Sequence, residues 1–226
     1  MRNFLPILMI LFALFITADE PMKTADEIIA LFDANLDTIN DYTCVLHDYV
    51  KKGKKVSDNY WDYRFLKPKY IRMESFKGER VGSKAYFDCV TKKITGRQGG
   101  ILSAVKLTLD LSNALVKNIR GTTIAESDWP YVSQRTKNIL KESGVEFTVS
   151  KTKFQSTDVT MLHIKNIPFE KYNFDEEKLF FTDNVMLIGL YNYENKEIIQ
   201  NVHYYDIKLN TGLVIDSLYT NRRRIC

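Results

Sequence analysis

Three histidines, His47, His163 and His203, are the side chains best suited to acid–base or metal chemistry, and each lies in a strand-like run. None has a second ligand at the short spacing of a metal motif, because the chain contains neither HExxH nor CxxC. The pattern therefore predicts no metal and no cofactor. It favours histidines that are held within a sheet.

Nucleophilic and hydrolytic motifs are equally scarce. The chain has no G-x-S-x-G, and the three-residue spacing of Cys44 and His47 in a strand places them on opposite faces, whereas a catalytic pair must converge. Carboxylates cluster in "FDEEK" (residues 174–178); paired carboxylates can hydrolyse glycosides, but a charged loop is favoured. "GRQGG" (residues 96–100) lacks the Lys-Ser/Thr of a phosphate loop. The prediction is a protein that is not an enzyme.

Composition and the first residues limit the classes of protein to which the chain can belong. With 226 residues, 45% of them hydrophobic, the chain can bury one domain's core, and its net charge of +4 does not call for a nucleic acid partner. Arg2, an apolar run over Phe4–Ile16 and the small Ala18 predict a signal peptide over residues 1–18, with an uncleaved anchor as the alternative. We therefore expect export to the periplasm or cell envelope and one domain over residues 19–226.

The three cysteines, Cys44, Cys89 and Cys226, form an odd count. An exported protein could form one disulfide, but nothing in the sequence shows that Cys44 and Cys89 meet. Buried free thiols are favoured for these two residues, and Cys226, the last residue, is expected to be exposed.

An amphipathic helix is predicted to follow the signal peptide. Thr24 and Glu27 have the spacing of a capping box, in which each side chain bonds a backbone N–H of the first turn. Apolar residues then recur at helical spacing at Ile28, Phe32, Leu36 and Ile39. This helix requires a surface to cover.

Strands with a period of two come next. "KKGKK", centred on Gly53, predicts a hairpin tip. Alternation places Trp61, Tyr63 and Phe65 on one face, and Tyr60, Asp62 and Arg64 on the other. In the following run Ile71 and Met73 oppose Arg72 and Glu74.

The middle of the chain is predicted to be helical. One helix is expected in "AVKLTLDLSNALVKN", and a second is expected from an N-cap at Ser127, with Pro130 in its first turn and a stop at Gly144. Strands then return as far as "VHYYDIKL", with "VIDSLYT" as a last candidate strand. Nine or ten strands at hairpin spacing predict an α+β fold with a single curved, mostly antiparallel sheet.

Several strands are aromatic or apolar on both faces, among them "YWDYRF" and "FFTDNVMLIGLYNY". A sheet with one solvated face would normally alternate more cleanly. Two interpretations stay open: a core on both faces, as in a sandwich, or an apolar concavity covered by helices.

Three stretches resemble the LolA-like superfamily of periplasmic lipoprotein carriers, in an exported branch: "DYTCVLHDY", "LTLDLSNAL" with "TIAESDW", and "YYDIKLNTGL". The resemblance implies an open half-barrel sheet, helices across its concave face, and a cavity that receives acyl chains. It also implies that "NTGL" turns the last strand toward the rim. The stretches "LTLDLSNAL" and "TIAESDW" resemble a central helical insertion of that branch, which the well-studied carriers lack in this form. The cargo specificity of those carriers therefore does not transfer to this chain.

Alternation, rather than a family motif, supplies the candidate residues of an apolar ligand pocket. They are Trp61, Tyr63, Phe65, Ile71, Met73, Phe87, Leu162 and Ile164. The leading hypothesis is a non-catalytic carrier of an acyl lipid or lipoprotein. A cell-envelope module that binds a protein partner is the alternative, a secreted hydrolase is the third, and contact of "RRR" (residues 222–224) with anionic lipid is a further hypothesis.

Overall fold

The structure, a computed structural model, describes residues 23–219. Its strands are β1 (Asp41–Lys52), β2 (Lys55–Leu66), β3 (Tyr70–Gly78), β4 (Lys84–Asp88), β5 (Lys93–Arg97), β6 (Leu107–Asp110), β7 (Glu146–Phe154), β8 (Thr157–Lys165), β9 (Glu176–Phe181), β10 (Leu187–Glu194) and β11 (Glu197–Leu209). Its α-helices are α1 (Ala25–Thr38), α2 (Trp129–Ile139), α3 (Phe169–Tyr172) and α4 (Ile215–Tyr219). Three 3-10 turns cover Gly100–Ala104, Ala114–Val116 and Ile124–Glu126.

The eleven strands form one antiparallel sheet in the order β6-β5-β4-β3-β2-β1-β11-β10-β9-β8-β7. The first and last strands of this order, β6 and β7, are the two edges, so the sheet is open. The predicted α+β fold with a single curved antiparallel sheet is confirmed, and the sandwich interpretation is wrong. The sequence predicts nine or ten strands, and the described residues contain eleven. The two strands that it does not predict are β5 and β6, which are short.

The main core lies on the face of the sheet that α1 and α2 cover, called here the concave face. Tyr42 of β1 is at its centre, with its ring 4.1 Å from that of Trp129, 5.0 Å from Phe65 and 5.7 Å from Tyr63. The predicted alternation in β2 is confirmed, since Trp61, Tyr63 and Phe65 are buried here while their neighbours face outward.

Helix α1 begins with the predicted capping box: Thr24 Oγ1 accepts a hydrogen bond from the Glu27 N–H, and the Glu27 carboxylate accepts one from the Thr24 N–H. Its apolar stripe packs on the sheet and on α2. The Phe32 ring lies 5.4 Å from Phe181 and 6.4 Å from Trp129. The helix covers the part of the concave face near strands β8 and β9.

The second helix begins and ends differently from the prediction. Its N-cap is Asp128, whose Oδ1 accepts from the Tyr131 N–H at 2.9 Å, because the Ser127 hydroxyl already donates to the Ile124 carbonyl at 2.7 Å. Pro130 lies in the first turn as predicted. The helix ends at Ile139, with Leu140 as its C-cap, so Gly144 is not its stop.

Two other predicted elements are wrong. The expected helix in residues 104–118 is β6 followed by a 3-10 turn, because Leu107 and Leu109 pair with Gly96 and Ile94 and extend the sheet by one strand. "VIDSLYT" contains α4 and is not a strand. In both segments a short apolar run is compatible with the period of a helix and with that of a strand. Contacts with neighbouring parts of the same chain decide which of the two forms.

The turn after β11 is fixed by one buried carboxylate. Asp41 accepts hydrogen bonds from the Thr211 N–H and hydroxyl, at 2.7 and 2.6 Å, and from the N–H groups of Gly212 and Leu213, at 3.0 and 3.3 Å. Gly212 has a φ of +75°, which favours glycine. The segment "NTGL" therefore joins the end of the last strand to the start of the first.

Cys44 is buried and Cys89 is half-buried, and both are free thiols, as favoured. Burial raises the pKa of the Cys44 thiol well above its ordinary value. The predicted signal peptide (residues 1–18), the basic tag (residues 222–224) and Cys226 lie outside the described residues.

Candidate functional site

A cavity of about 890 Å³ lies on the concave face between the sheet and the chain that covers it. A volume of this size is typical of a site for a small organic molecule. Its sheet wall is mainly apolar and is formed by Leu46, Trp61, Met73, Ala85, Ile94, Leu109, Leu190, Val202 and Tyr204. Because these residues come from eight strands, the cavity spans the β6–β2 half of the sheet and continues across β1 and β11 to β10.

The opposite wall comes from the segment between β6 and α2, called here the insertion (residues 111–128), and from α2 itself. Val116, Ile124 and Val132 add apolar surface, and Asn118 and Thr122 add polar groups. The cavity is therefore enclosed by the sheet on one side and by the insertion and α2 on the other.

Arg120 fastens the insertion to the far end of the sheet. Its guanidinium donates to the Lys51 carbonyl at 3.0 Å, the Asn173 carbonyl at 2.8 Å and the Glu194 carboxylate at 2.9 Å. Charge-assisted contacts of this kind are among the stronger hydrogen bonds in proteins. They hold Asn118 and Thr122 across the cavity from the ends of β1 and β10.

The mouth of the cavity is marked by lining residues that are exposed to solvent. Val81, Val105, Leu107 and Leu115 have exposed fractions of 53%, 50%, 44% and 60%. Basic side chains, Arg80 and Arg97, line the same region. Exposed apolar groups beside an apolar cavity are typical of a place where an apolar ligand enters.

Polar side chains interrupt the apolar concave face along five neighbouring strands. This polar row consists of Glu177 (β9), Asn192 (β10), Gln200 (β11), Asp48 (β1) and Asn59 (β2). Asn192 Nδ2 donates to Gln200 Oε1 at 3.2 Å, and Gln200 Nε2 lies 3.5 Å from Asp48 Oδ1. Asp48 and Gln200 line the cavity and form its polar end, whereas Glu177, Asn192 and Asn59 lie on the same face outside the lining.

The two carboxyl groups of the polar row, those of Asp48 and Glu177, differ in whether a cation pairs with them. Burial raises the pKa of Asp48 to about 6, and its hydrogen bond with Gln200 only partly opposes that rise. Burial also raises the pKa of Glu177, although the guanidinium of Arg135 forms an ion pair with it. Glu177 is thus paired with a cation, whereas the nearest polar partner of Asp48 is an amide.

Two of the eight residues predicted to form an apolar pocket, Trp61 and Met73, line the cavity. The other six lie on the same concave face but outside the lining: Tyr63, Phe65, Ile71, Phe87, Leu162 and Ile164. Tyr63 and Phe65 pack around Tyr42, and Leu162 and Ile164 lie on β8 in the other half of the sheet. Ligand contact remains a prediction for all eight.

The polar row is not among the features that the sequence pattern predicts. Asp48 follows Cys44 and Leu46 at two-residue spacing in β1. Alternation alone could therefore have placed it on the inner face with them. "FDEEK" was interpreted as a charged loop, but Glu176 to Lys178 lie in β9 and Glu177 is fully buried. That interpretation failed because the partner of Glu177, Arg135, is 42 residues away.

The outer face brings two histidines together. His47 and His203 are opposite each other in the β1–β11 register, with ring centroids 5.6 Å apart. Burial and the neighbouring His47 lower the pKa of His203 to about 4. Cys44 faces the core on the other side, which confirms that Cys44 and His47 do not converge.

His163 bonds Glu176 at 2.7 Å, yet burial lowers its pKa. Within residues 23–219 no group of three His, Cys, Asp or Glu side chains is arranged to hold a metal ion. No helix in this part of the chain combines the length and apolar character that crossing a membrane requires.

An open antiparallel sheet with helices on its concave face is the architecture that the sequence resemblance implied. No family model and no curated protein matches the sequence.

Solved structures that are similar to the chain over most of its length share little sequence with it. A DUF1329 family protein from Desulfovibrio piger is 10% identical, with a TM-score of 0.48, over 90% of this chain and 98% of that one. The Mycobacterium tuberculosis lipoprotein LppX is 9% identical, with a TM-score of 0.47, over 85% and 100%. A LolA superfamily protein from Nitrosomonas europaea is 10% identical, with a TM-score of 0.41, over 88% and 98%. These likenesses concern the fold alone.

Proposed function

We propose that the protein is a non-catalytic carrier of the periplasm or cell envelope that binds an acyl chain of a lipid or lipoprotein in the concave cavity. The observation that carries this proposal is the cavity of about 890 Å³ with apolar walls and an exposed apolar mouth. The sheet wall that an acyl chain would contact, from Leu46 to Ile94, is mainly apolar.

The energetics of acyl-chain binding suit such a cavity. Each buried methylene contributes roughly 0.8 kcal/mol, so ten methylenes contribute about 8 kcal/mol before the cost of ordering the chain and its partners. Because that cost is at least about 4 kcal/mol, micromolar affinity requires burial of most of a long acyl chain, about 16 methylenes and roughly 13 kcal/mol, and the ligand can still be released. A carrier requires that balance.

The first test is native mass spectrometry of the protein, expressed from its full chain and purified without detergent, followed by organic extraction. A co-purified acyl species, or uptake of an added fatty acyl probe, is the expected result. A ligand-free mass with no uptake would contradict the carrier and would favour the protein-binding module. The intact mass also shows whether residues 1–18 have been removed.

A cavity-filling variant makes the test specific to the site. Ala85 lies on β4 and lines the cavity, so Ala85→Trp places a large ring in the space that an acyl chain would occupy. We expect at least a tenfold loss of acyl-probe binding, measured by titration in the mass spectrometer. The matched control is Ala114→Trp, at an exposed alanine outside the cavity lining, which should bind as the unmodified protein does.

Equal binding by Ala85→Trp and Ala114→Trp would place the acyl chain elsewhere. Circular dichroism of both variants shows whether the fold is retained, so that a loss of binding is not confused with unfolding.

A further inference from the structure

The polar end of the cavity requires an explanation that an acyl chain alone does not give. Polar groups on a buried face reduce the binding of hydrocarbon and cost free energy unless they are hydrogen-bonded. The polar row nevertheless crosses five strands, and Glu177, Asn192 and Asn59 in it are 0%, 2% and 1% exposed. Asn59 is satisfied within the chain, since its Oδ1 accepts from the Arg80 N–H at 2.8 Å and its Nδ2 donates to the Ser57 hydroxyl at 3.0 Å.

Several polar atoms of this region lack a partner within residues 23–219. They are Glu177 Oε2 and Asn192 Oδ1, which are acceptors, and Trp61 Nε1 and Arg135 Nε, which are donors. Trp61 is 7% exposed and lines the cavity, as does Arg135. Leaving a buried polar group without a hydrogen bond costs about 1–3 kcal/mol, so a ligand that satisfies such groups gains affinity.

We propose that Asp48 and Gln200 of the polar row, together with Trp61, form a subsite for an uncharged head group that carries hydroxyls, as in a glycerol or sugar ester of a fatty acid. This inference rests on the proposed acyl-chain carrier and names the class of lipid that it binds. The acyl chain then lies along the apolar wall from Leu46 to Ile94, and the head group lies at Asp48 and Gln200.

The choice among head groups follows from charge and from hydrogen-bond type. A carboxylate at this end would lie beside Asp48, whose hydrogen-bonded partner is the Gln200 amide; the two negative charges would repel each other, and the nearby guanidinium of Arg80, which lowers the pKa of Asp48, offsets only part of that repulsion. An ammonium group only donates hydrogen bonds, so it cannot satisfy the indole N–H of Trp61. A hydroxyl both donates and accepts, and it therefore suits both kinds of group.

The test compares three probes with the same eighteen-carbon chain: 1-monooleoylglycerol, oleate and oleylamine. Each is titrated at pH 8, below its aggregation concentration, into the protein expressed from its full chain, and the bound fraction is read by native mass spectrometry. We expect monooleoylglycerol to bind about tenfold more tightly than oleate. A difference of this size is what one additional hydrogen bond to a charged group, or the avoidance of one charge repulsion, would produce.

Two variants assign the preference to the subsite. Asp48→Asn removes the negative charge but keeps an acceptor, so oleate binding should tighten and the preference should fall to about twofold. Trp61→Phe keeps an aromatic ring but removes the N–H, so monooleoylglycerol binding should weaken about threefold to tenfold while oleate binding changes less. The control is Asp62→Asn, the same charge change on the outer face of β2, which should leave all three affinities unchanged.

The outcomes separate this inference from the proposed function. If all three probes bind equally and Asp48→Asn has no effect, the subsite is wrong while the acyl carrier stands. Tightest binding of oleylamine would overturn the hydroxyl assignment. Binding of none of the probes would overturn both the subsite and the carrier.

Discussion

Two ionisable residues on opposite faces of the central strands have pKa values that burial shifts toward the neutral form. His203 lies on the outer face among Phe154, Tyr191 and Tyr205, with a ring nitrogen bonded by Gln155. Asp48 lies on the inner face beside Gln200. Desolvation disfavours the charged form of each group, so it lowers the pKa of the histidine and raises that of the carboxyl.

The two shifts have opposite effects on stability as the pH falls. The pKa of His203 is about 4 in the folded protein, against about 6.5 in the unfolded chain. The unfolded chain therefore takes up the proton first, and stability falls as the pH drops from about 6.5 to 4. The pKa of Asp48 is about 6 when folded, against about 3.9 when unfolded, so the folded protein takes up that proton first and stability rises as the pH drops through 6.

Single substitutions should reveal these opposing contributions. We expect His203→Gln to lose less stability than the unmodified protein between pH 7.5 and 4.5, and Asp48→Asn to lose more, each by on the order of 1 kcal/mol after allowance for solvent screening. Urea unfolding at the two pH values measures the differences. The charged and titratable neighbours, His47 beside both groups and Arg80 and Asp58 near Asp48, are unchanged in each variant.

Equal pH dependence in both variants and the unmodified protein would show that neither pKa is shifted in the folded state. A change in the same direction in both variants would contradict the opposite assignment of the two groups.

At the level of elements, the closing turn links three parts of the chain. Asp41 opens β1 and accepts the backbone N–H groups of residues 211–213, while Asn210 Oδ1 accepts from the Asn40 N–H at 2.7 Å and Asn210 Nδ2 donates to the Thr38 carbonyl at 3.2 Å. The end of α1, the start of β1 and the end of β11 are therefore held together at one corner. Strand β11 pairs with β1 from this corner onward.

Asp41→Ala should destabilise the fold by about 2–4 kcal/mol, because it leaves three backbone N–H groups and a hydroxyl without their acceptor. Asp41→Asn should cost less, since the amide oxygen still accepts. Urea unfolding measures both values. The control is Asp37→Ala, an exposed carboxylate near the end of α1, for which a change below 0.5 kcal/mol is expected. An equally small change for Asp41→Ala would show that the corner does not contribute to stability.

At the level of the whole molecule, the helices fill only part of the concave face. Helices α1 and α2 meet around Trp129 and Phe32, which pack against Tyr42 and Phe181. The insertion crosses the remaining half, where its contacts leave the cavity. One half of the face is thus a packed core and the other is available to a ligand.

Hydrogen exchange should report this division. Residues 105–118 are largely exposed and make few regular backbone hydrogen bonds, whereas β1, β2 and β11 form the centre of the sheet. We expect amides of residues 105–118 to exchange at least a hundredfold faster than those of the three central strands, as expected for a segment that opens locally. Saturation with monooleoylglycerol should slow this segment selectively.

Uniform exchange across residues 105–118 and the central strands would contradict the division. Ligand protection confined to β7 and β8 would place the ligand in the other half of the sheet.

Local patterns were sufficient for much of the fold. The capping box at Thr24 and Glu27, the hairpin tip at Gly53 and the faces of β2 depend on residues within a few positions of each other, and all were predicted correctly. The short apolar run at Leu107 was misassigned, because four residues fit both a helix and a strand and only pairing with β5 selects the strand.

The sequence by itself determined which residues face inward on the long strands and that an amphipathic helix would cover them, since side-chain direction follows from the period of each element. Only the tertiary structure decided where the concave face is packed and where it encloses a cavity, because this depends on the course of the insertion and the contacts of Arg120. It also decided that Asp48, Gln200, Asn192 and Glu177 form one row. Their spacing across four strands is set by the register of hydrogen-bonded pairs, which no local pattern specifies.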